Sequence, residues 1–344
     1  MGRRVQEEGA SERRAVMARI GVELAVAGNI TPPRKRADVP LVSRHERTGL
    51  IDTGGKQMTT TEAGFTDAGP DVGAPSHVEA DWHQIDWYKA YRIVRRLQAR
   101  IVQATQAGRW GKVTALQRLL THSHSATVLA VRRVTENHGK KTPGVDRDLG
   151  NTPAKKMAAV HALRQRGYHP QPLRRVYIPK STGKMRPLSI ATMTDRAMQT
   201  LYLRALDPIA EATADPHSYG FRHERSPADA MGHCFIALGR RKAAPWVLEA
   251  DIRACFDAIS HEWLEAHVPL DKAILHKWLK AGYVERDTLY RTDQGAAQGG
   301  PLSPVLANLT LNGLERLLRD AFPKSHRKGP DLKVNVVWTC PHDR

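Results

Sequence analysis

Apolar residues first recur at helical spacing near Trp82. Trp87, Tyr91, Val94 and Ile101 fall on one face, which predicts a helix with its aromatics in the core. Arg92, Arg95, Arg96 and Arg100 load the rest of that helix. Val113, Leu116, Leu119 and Leu120, then Val128, Leu129, Val131 and Val134, predict two more helices before KKTPGVD (140–146) turns the chain. The period then shortens. RRVYIPKSTGKMRPLSI (174–190) holds two extended runs around Ser181-Thr182-Gly183-Lys184, a hairpin by its turn residues, with Lys180, Lys184 and Arg186 at the tip. A helix is expected from Thr194 to about Leu206, and another where Ser226, Pro227 and Asp229 supply cap, first-turn proline and third-position acid.

Two denser stretches follow. WVLEADIRACFDAIS (246–260) reads as an apolar strand ending on Asp251, then a turn of small residues and Phe256. By itself such an acid is an ordinary strand-end cap. QGAAQGGPLSPVLANLTLNGLERLL (294–318) places two glycines after Gln298, where backbone can come close to another molecule. Ser303-Pro304 then predicts the cap and first turn of one helix carrying Leu306, Leu309, Leu314 and Leu317. LKVNVV (332–337) is strand-like. Residues 1–80 show little periodicity and much Gly, Thr, Pro and charge, the marks of a flexible leader with at most a short helix over Ala15–Ala27.

Composition narrows the classes. Apolar residues make up 41% of the 344, enough for a core. No run reaches the roughly 18 apolar residues a membrane span needs, and the amino terminus lacks the apolar centre of a signal peptide. Cys234, Cys255 and Cys340 are widely spaced, which fits a reducing compartment without disulfides or structural zinc. His122 and His124, two apart and without a third ligand, are expected at the surface.

Charge changes the picture more. Residues 81–200 carry 23 Lys and Arg against 6 Asp and Glu, whereas residues 1–80 carry 11 against 11 and residues 201–344 carry 19 against 18. The net +18 of the chain therefore sits almost wholly in one block, the footprint of a polyanion-binding protein. The basic residues are not confined to short amphipathic helices, which favours nucleic acid over a membrane surface. Arg92, Arg95, Arg96, Arg100, Lys140, Lys141, Arg174 and Arg175 are the expected nucleic-acid contacts.

Taken in order, RRVYIPKSTGKMRPLSI, the Asp195-Arg196…Gln199 helix, SYGFR, EADIRACFDAISH and AAQGGPLSPVLANL resemble the successive motifs of bacterial group II intron reverse transcriptase/maturases. The resemblance runs from about Trp82 to Val337 and implies an α+β right-hand polymerase, with helical basic fingers and a partial palm of antiparallel strands backed by helices. The expected division is a leader over 1–80, a basic helical region over 81–170, a reverse transcriptase domain over 171–337 and an aberrant tail over 338–344. The resemblance also implies site roles. Asp251 and the Ile252 carbonyl would hold metal, two Mg²⁺ ions joining primer 3′-oxygen and dNTP phosphates. Lys180 and Arg186 would grip the triphosphate, and Ala254 and Cys255 would lie beneath it. Phe256 would exclude a ribose 2′-OH, and Gln298 with Gly299 would hold the nucleotide.

Further implied partners are group II intron RNA, an RNA template with DNA primer, and dNTPs; a dimer is compatible with this set, a membrane is not. The implied setting is the bacterial cytoplasm, as a ribonucleoprotein. Three departures stand out. Ala297 replaces the family's usual Pro, Glu224 its usual Gly, and Trp338-Thr339-Cys340 follows Val337 where the family has Tyr-Ala-Asp-Asp. The expectation is a truncated chain with one of three metal carboxylates and no polymerase activity alone. The competing expectation is a non-catalytic RNA-binding protein.

Overall fold

The computed structural model describes residues 81–179, 183, 185–239, 252 and 255–321. The leader, the strand-like segments 246–251 and 332–337, and the tail lie outside them. The helical part comprises α1 (Trp87–Gln106), α2 (Trp110–Thr121), α3 (His124–Glu136), a 3-10 turn (His138–Lys141) and α4 (Pro153–Ala162). Next come β1 (Leu173–Pro179), β2 (Met185–Ile190), α5 (Met193–Thr213) and α6 (Pro227–Leu238), then α7 (His261–His267), α8 (Lys272–Leu279), β3 (Tyr283–Glu285), β4 (Thr288–Tyr290), α9 (Ser303–Leu311) and α10 (Leu314–Ala321). The mixed α+β class stands. Among the described residues one sheet runs β2-β1-β3-β4, antiparallel at both ends and parallel between β1 and β3.

Helix α5 is the axis of the fold, packed against α1, α2, α3 and α9. Met198, Leu201, Leu206 and Ile209 from α5 are buried with Ile101, Leu120 and Leu129. The helix outruns its expected end near Leu206 and passes through Pro208. Proline has no N–H, so the Arg204 carbonyl loses its helical donor. Gln98 of α1 supplies one, its Nε2 donating to that oxygen at 2.9 Å. Gln117 of α2 donates to the next carbonyl, Ala205, at 3.3 Å. Tertiary contact thus carries α5 past a residue that would otherwise end it.

Other local expectations divide. The Ser226 capping box with Asp229 forms, and the 174–190 hairpin forms with its tip outside the described residues apart from Gly183. Val94 and Ile101 are buried, but Tyr91 and Leu119 are exposed, because each falls outside the buried stripe of its helix. Ser303 does not cap α9. It is the first helical residue, and its hydroxyl donates to the Ala297 carbonyl at 2.6 Å. The one long helix expected there is two, α9 and α10, broken at Asn312-Gly313, where Asp215 accepts from the Gly313 and Glu315 amides at 3.0 and 3.1 Å.

Candidate functional site

The loop 294–302 is held from two sides. On one, it zips to the turn after Asp251: the Gly295 amide donates to Ile259 O and the Ala296 amide to Phe256 O, both at 2.7 Å. Gly295 has φ +88°, and a Cβ there would stand 2.8 Å from Asp257 O and 3.0 Å from Phe256 O. Only glycine lets these two strands of backbone approach so closely. His261 completes the lock, its Nε2 donating to Gly295 O at 2.8 Å. Burial holds the His261 pKa down, so the ring is neutral and that nitrogen carries its proton.

On the other side the loop meets β2. The Ser189 amide donates to Gln298 O at 2.8 Å, and Arg186 Nε donates to Gln298 Oε1 at 3.2 Å. Gly299, at φ +104°, passes Ser189 O with only 3.3 Å left for a Cβ. Gln199 of α5 stands just behind, its Oε1 3.0 Å from where a Gly300 Cβ would be. A carboxylate network anchors this corner of α5. Asp195 accepts from Tyr168 Oη and Thr192 Oγ1 at 2.7 Å each and from the Gln171 amide at 3.1 Å. Burial pushes the Asp195 pKa up against those hydrogen bonds, and Trp278 Nε1 donates onward to Tyr168 Oη at 2.9 Å. A cleft of about 490 Å³ opens beside the junction, bordered by Arg175, Ser189, Asp257, Trp278, Tyr283 and Gln298; that volume suits a small ligand.

Of the nucleotide-site residues expected from the sequence, Arg186, Cys255, Phe256, Gln298 and Gly299 come together at this junction. Phe256 is buried edge-on to Phe221 of the SYGFR segment, centroids 6.2 Å apart. Cys255 is buried beside it, and Ile252 packs against the core. Asp251, Lys180 and Ala254 lie outside the described residues. Sequence reasoning missed the positioning roles of His261, Gln199 and Tyr168, although His261 closes the quoted EADIRACFDAISH and Gln199 the Asp195-Arg196…Gln199 motif.

The expected RNA contacts divide. Arg92, Arg95, Arg96, Arg100, Lys140 and Lys141 are exposed. Arg174 and Arg175 have internal partners: Arg174 Nε donates to Pro143 O at 3.0 Å, and the Arg175 guanidinium lies 3.9 Å over the Tyr283 ring. Among the described residues no group of three His, Cys, Asp or Glu stands together as a metal cluster, and no helix is long and apolar enough to cross a membrane.

The basic helical bundle thus leads into a hairpin, a long central helix and a glutamine loop clamped over the turn around Phe256. Family profiles give the class: residues 82–163 match the N-terminal domain of reverse transcriptase and residues 178–337 match reverse transcriptase (RNA-dependent DNA polymerase). The chain belongs to the reverse transcriptase family, whose members use divalent metal ions. Within it the chain is similar to proteins encoded by introns. It is 35% identical over 216 residues to the group II intron-encoded protein LtrA of Lactococcus lactis subsp. cremoris, covering 59% of this chain and 35% of that protein. It is 34% identical over 226 residues to protein YkfC of Escherichia coli (strain K12), covering 61% and 58%. Maturase-like protein 1 of Euglena gracilis is 25% identical over 242 residues, covering 67% and 51%. The chain thus spans from about a third to over half the length of these relatives.

Proposed function

We propose that this chain supplies the fingers and part of the palm of a group II intron-encoded reverse transcriptase/maturase, which copies RNA into DNA from dNTPs on a primed template and binds intron RNA to assist its splicing. One observation carries the reading: Gln298 is fixed by Ser189 and Arg186 on one side while its loop is zipped to the Phe256 turn on the other. The nucleotide-holding glutamine, a phosphate-facing arginine and the 2′-OH-excluding phenylalanine are then parts of one rigid junction, the preorganisation that phosphoryl transfer needs.

In that reading Arg186 and Lys180 neutralise the triphosphate, Ala254 and Cys255 floor it through backbone, and Gln298 with Gly299 orients the nucleotide. Asp251 and the Ile252 carbonyl are oxygen donors, hard ligands that suit Mg²⁺. Two such ions would supply activation of the primer oxygen and stabilisation of the leaving phosphate. Residues 81–170 serve as the RNA-binding region and 171–337 as the polymerase domain, working in the bacterial cytoplasm as a ribonucleoprotein. Trp338-Thr339-Cys340 brings no carboxylate to the place of Tyr-Ala-Asp-Asp, so this polypeptide alone is expected to be inactive.

Primer extension on an RNA template with Mg²⁺ tests this, using the 344-residue chain alone and joined to a continuation bearing Tyr-Ala-Asp-Asp and a thumb. The joined protein should extend; Asp251→Asn should abolish extension and leave RNA binding intact; Phe256→Val should admit ribonucleotides. Failure of the joined protein to extend would overturn the polymerase reading. The exposed arginines of α1 favour a second reading, a non-catalytic protein that only binds intron RNA; it predicts RNA binding with no extension in either form.

A further inference from the structure

Helix α1 has two unlike faces. Ala90, Val94, Leu97, Ile101 and Ala104 form the buried stripe. Away from that stripe, with Tyr91 on its flank, stand Tyr88, Tyr91, Arg92 and Arg95, spaced three and four residues apart and so side by side on the helix surface. Tyr88 is 77% exposed and Tyr91 is 42% exposed. Two tyrosines on adjacent turns, one of them mostly exposed, are a large aromatic area to leave in water among the described residues. The helix has no Asp or Glu in its 20 residues, so its arginines have no carboxylate on their own element. The Arg92 guanidinium lies 5.9 Å from the Tyr88 ring centroid, which puts positive charge beside an exposed π-face.

We propose that Tyr88 and Tyr91 are a stacking platform for unpaired RNA bases, with Arg92, Arg95 and Arg96 holding the phosphates on either side. This deepens the RNA-binding reading above and rests on it. The charge of the face selects a polyanion, and the rings select among polyanions. A duplex keeps its base faces stacked inside, so it can meet the arginines and not the tyrosines. A loop or bulge presents bases that an aromatic ring can stack on whatever their identity. The face is therefore built to prefer structured RNA that displays unpaired nucleotides, such as a stem-loop, over a plain helix.

The test uses the full chain and two probes, a stem-loop RNA with an unpaired loop and a fully paired RNA duplex of equal length, each titrated across salt. The Tyr88→Ala/Tyr91→Ala double variant should weaken stem-loop binding by roughly ten-fold and duplex binding by less than about two-fold, with the salt slope unchanged. Tyr88→Phe/Tyr91→Phe should bind both probes as the parent does, because the rings and not the hydroxyls make the platform. Arg92→Gln/Arg95→Gln should instead flatten the salt slope on both probes. Equal loss on the two probes, or none on the stem-loop, would overturn the platform while the arginine result still upheld RNA binding. If the arginine variants leave the slope unmoved, the RNA-binding reading of this face falls and the platform with it.

Discussion

On α1, Arg92, Arg95, Arg96 and Arg100 stand in solvent on a helix without a carboxylate. On α5 and the loop after it, Arg196, Arg204 and Arg222 turn inward and donate to main-chain carbonyls. Arg196 reaches Ala191 O at 2.9 Å, Gly139 O at 3.1 Å and also Thr142 O. Arg204 reaches Leu129 O at 3.1 Å, and Arg222 reaches Asp215 O and Ser218 O at 2.8 and 3.0 Å while pairing with Glu211. Burial pushes the Arg196 and Arg204 pKa values down, yet a guanidinium remains charged. Its planar fan of donors can serve several carbonyls at once, which is why arginine fills this role. The lesson concerns charge counts. The excess in residues 81–200 adds together arginines that face solvent and arginines, among them Arg174, Arg175 and Arg196, that bond the chain to itself. The electrostatic footprint is therefore concentrated on the helical region.

The sharpest way to break this contrast is Arg196→Met. It leaves three carbonyls without their donor and should cost on the order of 3 kcal/mol, read as a lower urea midpoint at unchanged slope. A variant as stable as the parent would mean the inward arginines are not structural.

Gly295→Ala should cost about 2 kcal/mol, since its positive φ and two close carbonyls leave no room for a methyl group. Hydrogen exchange should show the Ala296 amide, bonded to Phe256 O, losing protection first.

A third outcome concerns pH. Burial acts to raise the Glu315 pKa, but hydrogen bonds from His217 and Arg319 outweigh it and hold the carboxylate below its usual value. A lowered folded pKa contributes stability above the unfolded value near 4.5, lost as pH falls through the folded one. Glu315→Gln should cost about 1 kcal/mol at pH 7, and its gap from the parent should shrink on acidification below about pH 4.5. A constant gap would mean that Glu315 acts through shape alone.

Glu224 stands where the family usually has glycine and adopts φ +59°. Glu224→Gly should therefore raise stability, by about 0.5 kcal/mol once the added freedom of the unfolded chain is subtracted; a calorimetric midpoint below the parent's would contradict it. The smallest stability effect belongs to the outward set. Arg92→Gln and Arg95→Gln should each change stability by less than about 0.5 kcal/mol while lowering the salt slope of RNA binding by about one.

Elements whose bonds close within a few residues were legible in the sequence. The Ser226-Pro227-Asp229 start of α6 and the 174–190 hairpin depend on neighbours in the chain, and the buried stripe of α1 on helical periodicity alone. The motif order was legible too. What its residues touch was not: that Arg186 bonds Gln298, and that the Phe256 turn bonds the same loop, came from the structure. Whether Ser303 caps a helix or bonds Ala297, and whether α5 survives Pro208, are settled by groups brought close by the fold. A hydroxyl or guanidinium takes whichever acceptor the packing places within about 3 Å. For Gln98 and Arg204 that partner lies 106 residues away along the chain, a separation that local pattern cannot encode. Tertiary structure alone also decided the aromatics of α1: Trp87 packs edge-on against Trp82 and under the Arg132 guanidinium, whereas Tyr91 is left exposed.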